Sequence, residues 1–274
     1  MMRCIMGNGK IGFIGTGNMG SALVRAAAKA VNPSDLLISN RTAKKTKALS
    51  SEVGATISTN KEIAACCDMI FLGVKPQMMK DMLEEIAPVL DNRTDGFVLV
   101  SMAAGMTIDR IRKMAGGQYP VIRIMPNLPV AVGEGLTLYT ISDNVTADVL
   151  AYFLQTLRLA GSFDQLPEGL IDVGCAVSGC GPAFVYIFIE ALADGAVECG
   201  LPRDKAIKYV AQTLCGASKL VLESGKHPGE LKDMVSNAGG STIVGIHALE
   251  ARGFRGAAID AITAAYQKTV KLGE

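Results

Sequence analysis

The fold of this chain is decided by the stretch IGFIGTGNMG, residues 11–20. Its glycines Gly15, Gly17 and Gly20 have the spacing G-x-G-x-x-G, directly after an apolar run and before a helical pattern. In that context the first glycine makes a tight turn, the second lets the backbone approach a pyrophosphate, and the third allows a helix to pack closely on a strand. The stretch therefore predicts a dinucleotide-binding loop and favours it over an ordinary glycine turn.

Apolar runs alternate with helical patterns through the first half of the chain. Helical spacing follows the glycine loop at 18–31 and recurs at 42–53 and after Pro76 as far as Leu90. Strands alternating with short helices indicate βαβ units and a mostly parallel sheet. The runs are KIGFIG (10–15), LLISN (36–40), DMIFLGV (68–74), FVLVSM (97–102), VIRIMP (121–126) and LTLYT (136–140).

Beyond about residue 166 the sequence predicts helices alone. A helix at 182–199 has proline at its first turn and Gly200 beyond its end, and a helix at 202–223 repeats that arrangement. We therefore predict an α/β fold in which an N-terminal Rossmann-like doubly wound sheet, residues 1–166, precedes an all-helical C-terminal domain, residues 167–274. The further predicted helices are 228–235, 242–252 and 255–272.

The composition is that of a compact globular protein. Of the 274 residues 49% are hydrophobic, and the formal net charge is only +1. A nearly neutral chain argues against a nucleic-acid partner, because nucleic-acid surfaces usually need a basic face.

The cysteines indicate reduced thiols rather than a disulfide framework. None forms a CxxC pair, and with only His227 and His247 no zinc ligand set is apparent, so we expect no metal. An odd, scattered count is typical of a cytoplasmic protein. The seven cysteines are Cys4, Cys66, Cys67, Cys175, Cys180, Cys199 and Cys215.

Two segments were compared with sequences that direct export or span a membrane. MMRCIMGNGK (1–10) is too short and too polar for a signal sequence. Residues 173–189 carry no charge, but they contain three glycines and Pro182, and a membrane-spanning helix needs about 20 residues. We interpret this segment as a buried or subunit-interface helix and expect no membrane partner.

The end of the second predicted strand indicates which dinucleotide binds. An enzyme that binds NADH usually places Asp or Glu about 20 residues after the glycine loop, to accept from the ribose 2′-hydroxyl. Here Asn40 and Arg41 occupy that place, followed by Lys44 and Lys45, so a 2′-phosphate is favoured. The sequence predicts NADPH, with NADH also possible; a solvated basic helix is the alternative interpretation of these cations.

A second glycine-rich stretch, SNAGGSTIVG (236–245), lies near the end of the chain. Two glycines and two hydroxyl side chains precede an apolar helical pattern. The glycines let the backbone approach a ligand, and the start of a helix offers N–H donors to an anion.

Six motifs then occur in one order along the chain: GFIGTGNMG, GVKPQ (73–77), SMAAGMT (101–107), RIMPNLPV (123–130), VSGCGPAFVYIFIEALADGAVECGLPR (177–203) and HPGELKDMVSNAGGSTIVGIHALEARGFRGAAIDA (227–261). Together they resemble pyrroline-5-carboxylate reductase over essentially the whole chain, and the last two are specific to that family. The chain departs from the family at Asn237-Ala238, where Ser-Pro is common, and at Cys180, where a second serine is usual.

The resemblance implies reduction of the cyclic imine Δ1-pyrroline-5-carboxylate to L-proline by direct hydride transfer from NAD(P)H, the last step of proline biosynthesis. It implies that the small-molecule substrate is held by Gly239, Gly240, Ser241 and Thr242, whose backbone N–H groups bind the carboxylate. The resemblance also implies that the Thr242 hydroxyl is the catalytic group, reaching the ring nitrogen. Glu168 is implied as a second contact of that nitrogen, its alternative being an exposed carboxylate that complements a helix dipole.

The resemblance also implies the cofactor contacts and the assembly. For Asn60 and Asn127 the alternative is turn chemistry, since both lie in predicted loops. Family members form homodimers through the helical domain, often assembled into larger rings such as a decamer, and the apolar faces of the predicted helices agree with burial against another copy. The implied cofactor residues are Ile14, Gly15, Thr16, Gly17, Asn18, Met19, Gly20, Asn40, Arg41, Asn60, Val74, Lys75, Pro76, Met102, Ala103, Ala104 and Asn127.

Two other functions compete with this interpretation. A related imine or β-hydroxyacid dehydrogenase shares the Rossmann half and a helical C-terminal domain. A non-catalytic NADPH-binding sensor would keep the glycine loop but would have no reason to keep the Gly-Gly-Ser-Thr loop.

Overall fold

The computed structural model describes residues 9–273. Residues 1–8, which include Cys4 and most of the segment that we compared with a signal sequence, lie outside the described residues. The described residues form two compact units: one contains residues 9–180 together with 265–273, and the other is Gly181–Ala264. The predicted domain boundary at residues 166 and 167 stays a prediction.

The first unit is built on one mixed sheet, whose eight strands within the described residues are ordered β3-β2-β1-β4-β5-β6-β7-β8. Neighbouring strands are parallel except β6 and β7, which confirms the mostly parallel, Rossmann-like sheet. The order reverses between β1 and β4, the place where open α/β sheets bind ligands. The strands are β1 Ile11–Ile14, β2 Leu36–Ser39, β3 Thr56–Ile57, β4 Met69–Leu72, β5 Val98–Ser101, β6 Val121–Met125, β7 Gly135–Ile141 and β8 Gly161–Gln165.

The helices of the first unit cover both faces of the sheet. They are α1 Asn18–Ala30, α2 Ala43–Val53, α3 Asn60–Cys66, α4 Pro76–Asp91, α5 Ile108–Ala115, α6 Ala147–Thr156 and α7 Glu168–Gly174, the last followed by a π-helical turn, Cys175–Gly179. Short 3₁₀ turns lie at Pro33–Asp35 and Leu128–Val132.

Two apolar cores hold the sheet between its helices. One face packs on α1, α2 and α6, and there the rings of Phe13 and Phe71 on adjacent strands stack with centroids 4.3 Å apart. The other face packs on α3, α4 and α5. Strands β1, β2, β4, β5 and β6 are buried along their length, as expected for parallel strands covered on both sides.

The second unit contains helices only, which confirms the predicted change of pattern. They are α8 Gly181–Glu198, α9 Arg203–Ser224, α10 Pro228–Met234, α11 Ser241–Ala251 and the first part of α12, Phe254–Gly273. His227 caps α10: its Nδ1 accepts from the Gly229 N–H at 3.0 Å. Within this unit Ala193 and Ala206 are the buried hydrophobic residues, and most of its large apolar side chains are exposed.

One helical stretch of the described residues, Glu168–Glu198, is long and apolar enough to cross a membrane, judged by length and composition alone. A single stretch of this kind is weak support for a membrane span, because helices buried in soluble proteins meet the same test. Of the most apolar 18-residue segment of this stretch, only 17% is buried within the chain.

Several strands and helices of the structure were not predicted from the sequence. Strand β3 has only two residues, and β8, GSFDQ, is a largely exposed edge strand without an apolar run. Helices α3, α5 and α6 are short, and each begins after a threonine whose hydroxyl accepts from the third backbone N–H of its helix. That capping pattern was present in the sequence.

Candidate cofactor and substrate sites

The glycine loop makes the tight turn that its spacing predicts. Gly15 has φ +95°, a conformation that side chains rarely adopt. Its N–H donates to the Ser39 carbonyl at 2.8 Å, and the Gly73 N–H donates to the Ile14 carbonyl at 2.7 Å. These bonds join the carboxyl ends of β1, β2 and β4 at one point, and a Cβ atom on Gly73 would lie 2.3 Å from the Gly15 carbonyl oxygen. The turn therefore requires glycine at both positions.

Gly17 and the start of α1 suit an anion. A Cβ atom added at Gly17 would meet no protein atom within 4 Å, so the fold itself does not require glycine there. Gly17 is the N-cap of α1 and offers no side-chain acceptor to the first N–H groups of the helix. The buried hydroxyl of Thr16 also has no hydrogen-bond partner in the described part of the chain. Uncapped donors at a helix start, beside open space, are the arrangement that binds phosphate.

A cleft of about 490 Å³ opens at the carboxyl ends of β1, β2 and β4. It brings together six of the sequence-predicted cofactor residues: Ile14, Gly15, Asn40, Arg41, Asn60 and Val74. The side chain of Arg41 is exposed, and no acidic residue follows β2 directly. Sequence reasoning missed the other lining residues, which are Ser39, Ser58, Thr59, Met78, Asp81, Met82 and Glu85.

Two of the missed residues change the charge of this cleft. Asp81 and Glu85 lie one turn apart on α4 and place carboxylates in the same cleft as Arg41. Their signal in the sequence was the helical spacing after Pro76, which puts both on one face. The cleft therefore carries both signs of charge.

Asn60 is held in one orientation at the start of α3. The Ser39 hydroxyl donates to its Oδ1 at 2.5 Å, and its Nδ2 donates to Glu85 Oε2 at 2.8 Å. Thr59 caps this helix in a box with Glu62, whose pKa is lowered chiefly by the hydrogen bond from the Thr59 backbone N–H. The amide is thus fixed at the edge of the cleft and keeps one N–H free of these two bonds.

A second cleft, of about 410 Å³, lies beside the other part of the glycine loop. Its lining includes Thr16, Gly17 and Asn18 together with Arg25 and Lys45. Arg25 is paired with Glu52 at 2.6 Å, and the hydrogen bond between them lowers the pKa of Glu52. Lys45 is one of the basic residues after β2 from which the sequence predicts a 2′-phosphate site.

The other predicted cofactor residues lie outside the linings of these two clefts. Lys75 is the N-cap of α4 and Pro76 is its first residue, at the carboxyl end of β4. Met19 and Gly20 lie in the first turn of α1, and Met102, Ala103 and Ala104 follow β5 directly.

Asn127 has a structural task at the end of β6. It is only 9% exposed, and its Oδ1 accepts from the Leu136 N–H at 2.9 Å. This bond ties the end of β6 to the start of β7, which is the turn chemistry weighed as an alternative for this residue. Its role as a cofactor residue stays a prediction.

Glu168 is the first residue of α7, and its carboxylate is turned toward the protein. Oε1 accepts from the Ile108 N–H at 2.7 Å and lies 3.4 Å from Nη1 of Arg123. It therefore complements the start of α5, another helix, as well as lying at the start of its own. Sequence reasoning missed Arg123; the signal was a lone charge within the apolar run VIRIMP, because a buried charge needs a partner.

The Gly-Gly-Ser-Thr loop lies in the second unit, at the start of α11. Gly239 has φ +69°, and Gly240 is an N-cap without a side-chain acceptor for the first N–H groups of the helix. Ser241 and Thr242 are the first two helical residues and both are exposed. The loop therefore presents backbone donors and two hydroxyl groups to solvent, which suits a small carboxylate.

Comparisons with known proteins agree on one family. Residues 168–272 match the family model described as pyrroline-5-carboxylate reductase dimerisation, and residues 10–105 match the model described as NADP oxidoreductase coenzyme F420-dependent. The chain is 40% identical over 268 residues to the pyrroline-5-carboxylate reductase of Escherichia coli (strain K12), covering 97% of this chain and 98% of the relative. It is 39% identical over 272 residues to that of Methanosarcina acetivorans, covering 98% and 100%.

A solved structure gives the same result. The crystal structure of Plasmodium falciparum pyrroline carboxylate reductase with NADP bound has a TM-score of 0.88 and 34% sequence identity, covering 98% of this chain and 100% of that one.

Proposed function

The chain belongs to the pyrroline-5-carboxylate reductase family, and from that premise we propose how its residues divide the reaction. The activity is the NAD(P)H-dependent reduction of Δ1-pyrroline-5-carboxylate to L-proline, the last step of proline biosynthesis. One observation carries this conclusion: relatives of that name match the chain from end to end, over the dinucleotide loop as well as the helical half. Neither a β-hydroxyacid dehydrogenase nor a non-catalytic sensor is favoured.

NAD(P)H, when bound, supplies the hydride. Gly15 and Gly20 shape the turn, Gly17 lets the pyrophosphate approach, and the first N–H groups of α1 donate to it. Asn60 lies beside the adenosine ribose, fixed by Ser39 and Glu85. Residues at the ends of β4, β5 and β6 line the remainder of the cofactor: Val74, Lys75, Pro76, Met102, Ala103, Ala104 and Asn127.

NADPH is the preferred cofactor in this proposal. Arg41 lines the cleft and is exposed, so its guanidinium is free to contact a 2′-phosphate. Asp81 and Glu85 in the same cleft repel that phosphate, which limits the preference and leaves NADH usable.

The substrate carries a carboxylate and a protonated imine. Its carboxylate accepts from the backbone N–H groups of Ser241 and Thr242, at the uncapped start of α11, while the Gly240 N–H donates to the Asn237 carbonyl at 3.0 Å. The Thr242 hydroxyl oxygen and the Glu168 carboxylate both accept from the single N–H of the protonated ring nitrogen. Since a protonated imine is already electrophilic, these residues need only orient the ring and stabilise its N–H while carbon accepts the hydride.

The assembly is a homodimer through the C-terminal helices, built into a larger ring such as a decamer. The dimerisation model covers residues 168–272, and the second unit leaves large apolar side chains exposed in α8 and α9, including Ile187 and Leu222 at 66% and 84%. A second copy is the partner expected to cover them. We infer a cytoplasmic enzyme without a membrane or nucleic-acid partner.

The test is to follow NADPH oxidation with Δ1-pyrroline-5-carboxylate and to identify proline as the product. A larger cyclic imine and a β-hydroxyacid with NADP⁺ serve as the competing substrates. Turnover of pyrroline-5-carboxylate well above both supports the proposal. Preference for the hydroxyacid would favour the dehydrogenase alternative, and NADPH binding without turnover would favour a sensor.

A further inference from the structure

A buried arginine joins the sheet to the first turn of α7. Arg123 lies on β6 with 1% of its surface exposed, and its side chain is on the face of the strand that also carries Met125. Nη1 lies 3.4 Å from Glu168 Oε1, and Nη2 donates to Asp172 Oδ1 at 2.6 Å. The two carboxylates are one helical turn apart, so one guanidinium holds that turn at two points.

Both contacts of Glu168 fall on the same oxygen. Oε1 faces Arg123 and also accepts from the Ile108 N–H at 2.7 Å. No donor among residues 9–273 reaches Oε2, and the Glu168 side chain is 33% exposed. The carboxylate is therefore fixed at one oxygen and has the other available to a ligand.

Stability alone does not explain this cluster. Replacing a buried ion pair by apolar residues is often neutral or stabilising, because the charges lose their hydration. The cluster also leaves the buried Nε of Arg123 without a hydrogen-bond partner in the described part of the chain. An unpaired buried donor is unfavourable, so the arrangement is better explained by the orientation that it imposes on Glu168.

We propose that Arg123 is a positioning residue for the substrate: with the Ile108 N–H it holds Glu168 Oε1, so that Oε2 accepts the N–H of the protonated ring nitrogen. This deepens the proposed function and rests on it. Arg123 is buried and does not touch the substrate; it acts through Glu168. Loss of either contact on Oε1 lets the carboxylate rotate and weakens the hydrogen bond to the ring.

The first test is Arg123→Lys, which keeps the charge but loses the fork that contacts two carboxylates at once. We expect KM for pyrroline-5-carboxylate to rise about tenfold, equivalent to about 1.4 kcal/mol, while KM for NADPH changes less than about twofold. The expected change in kcat is smaller than that in KM. A lower melting temperature with both KM values unchanged would show that Arg123 has a structural role only.

The second test removes the other contact and avoids the buried charge. Ile108 is the first residue of α5, where proline is tolerated, so Ile108→Pro deletes the N–H donor while the helix is kept. The control is Ile111→Val, which removes one methyl group from a fully buried side chain of the same helix. We expect Ile108→Pro to raise KM for the imine several-fold and Ile111→Val to leave it unchanged. Equal KM values in the two variants would overturn the proposal.

The activity of the wild-type enzyme shows whether a failed test counts against this inference alone or also against the proposed function. If wild type does not reduce pyrroline-5-carboxylate, the proposed function is wrong, and the positioning role falls with it. If wild type is active, and Arg123→Lys and Ile108→Pro both have the wild-type KM for the imine, only the positioning role is wrong. Unchanged NADPH affinity, measured by fluorescence quenching, shows in each case that the sheet is intact.

Discussion

The first residues of α1 approach the glycine turn so closely that a Cβ atom on Gly20 would lie 2.3 Å from the Gly15 carbonyl oxygen. Gly17, three residues earlier, would meet no atom within 4 Å. Two glycines of one motif are therefore there for different reasons. Gly20 is required by the protein itself, and Gly17 is required only if a ligand occupies the space beside it.

Alanine substitutions separate these two reasons. Gly20→Ala forces the helix away from the turn, so we expect a lower melting temperature together with loss of NADPH binding. Gly17→Ala is expected to leave the melting temperature of the free protein within a few degrees and to weaken NADPH binding at least about tenfold, since a methyl group displaces the pyrophosphate. Calorimetry and fluorescence titration measure the two effects. Unchanged NADPH affinity in Gly17→Ala would show that the pyrophosphate does not bind there.

The preference between the two cofactors depends on Arg41. Because its guanidinium lines the cleft without an acidic neighbour on β2, Arg41→Ala should lower kcat/KM with NADPH about tenfold and leave kcat/KM with NADH nearly unchanged. Adding Asn40→Asp should move the ratio further toward NADH. Lys47→Ala is the matched control, since Lys47 is an exposed cation of α2 that lines neither cleft. An equal shift in Lys47→Ala would point to the overall charge of α2 instead of a contact by Arg41.

Local features of the fold could be predicted from the sequence. The conformation of Gly15 follows from a short motif between an apolar run and a helical pattern, and the start of α10 follows from a single X-Pro step. Each depends on residues within a few positions of one another. The change from alternating elements to helices alone is also local, since it shows in hydrophobic spacing.

The missed features depend on contacts between distant segments. Asp81 and Glu85 line the cofactor cleft only because α4 begins at the same edge of the sheet as the glycine turn. Arg123 meets carboxylates 45 and 49 positions away. Strand β8 pairs in parallel with β7 although its own sequence is polar, because the partner supplies the hydrogen bonds. None of these follows from periodicity in one segment.

The exposed apolar side chains of the helical unit predict how the enzyme dissociates. Ile187 on α8 is 66% exposed and lies within the residues that match the dimerisation model. We expect Ile187→Asp to shift the assembly to smaller species, measured by light scattering after size-exclusion chromatography. Val132→Asp is the control: Val132 is 75% exposed and lies outside the matched residues. Equal dissociation of both variants, or of neither, would contradict burial of α8 against a second copy.

The fold has a pH-sensitive contact at the loop after α4. Arg93, 4% exposed, donates to both oxygens of Asp95 at 2.8 Å and also to the carbonyl of Cys67 at 2.6 Å. The hydrogen bonds from Arg93 lower the pKa of Asp95 below its ordinary value. A carboxyl whose pKa is lowered on folding stabilises the protein above its unfolded pKa of about 4, and that contribution is lost as pH falls through the folded pKa.

Asp95→Asn tests this contact. The variant should have a lower free energy of unfolding than wild type at about pH 7, and the difference should shrink as the pH falls below about 4, because the wild-type carboxyl then becomes protonated. Urea denaturation at several pH values measures it. The difference will be small, since Asp95 is half exposed. A difference that stays constant with pH would show that the Asp95 charge does not contribute.

The hydroxyl of Thr242 is the side-chain group that the proposed reaction needs in the Gly-Gly-Ser-Thr loop. Thr242 is exposed, and its side chain makes no hydrogen bond within the described residues, so Thr242→Ala should fold as wild type does. A hydrogen bond to a charged group contributes about 1.5–3 kcal/mol, so we expect kcat/KM for pyrroline-5-carboxylate to fall about ten- to hundredfold. Thr242→Ser keeps the hydroxyl and should retain most of the activity. If the alanine and serine variants turn over equally, the methyl group or the backbone of residue 242 matters, and the hydroxyl does not hold the ring nitrogen.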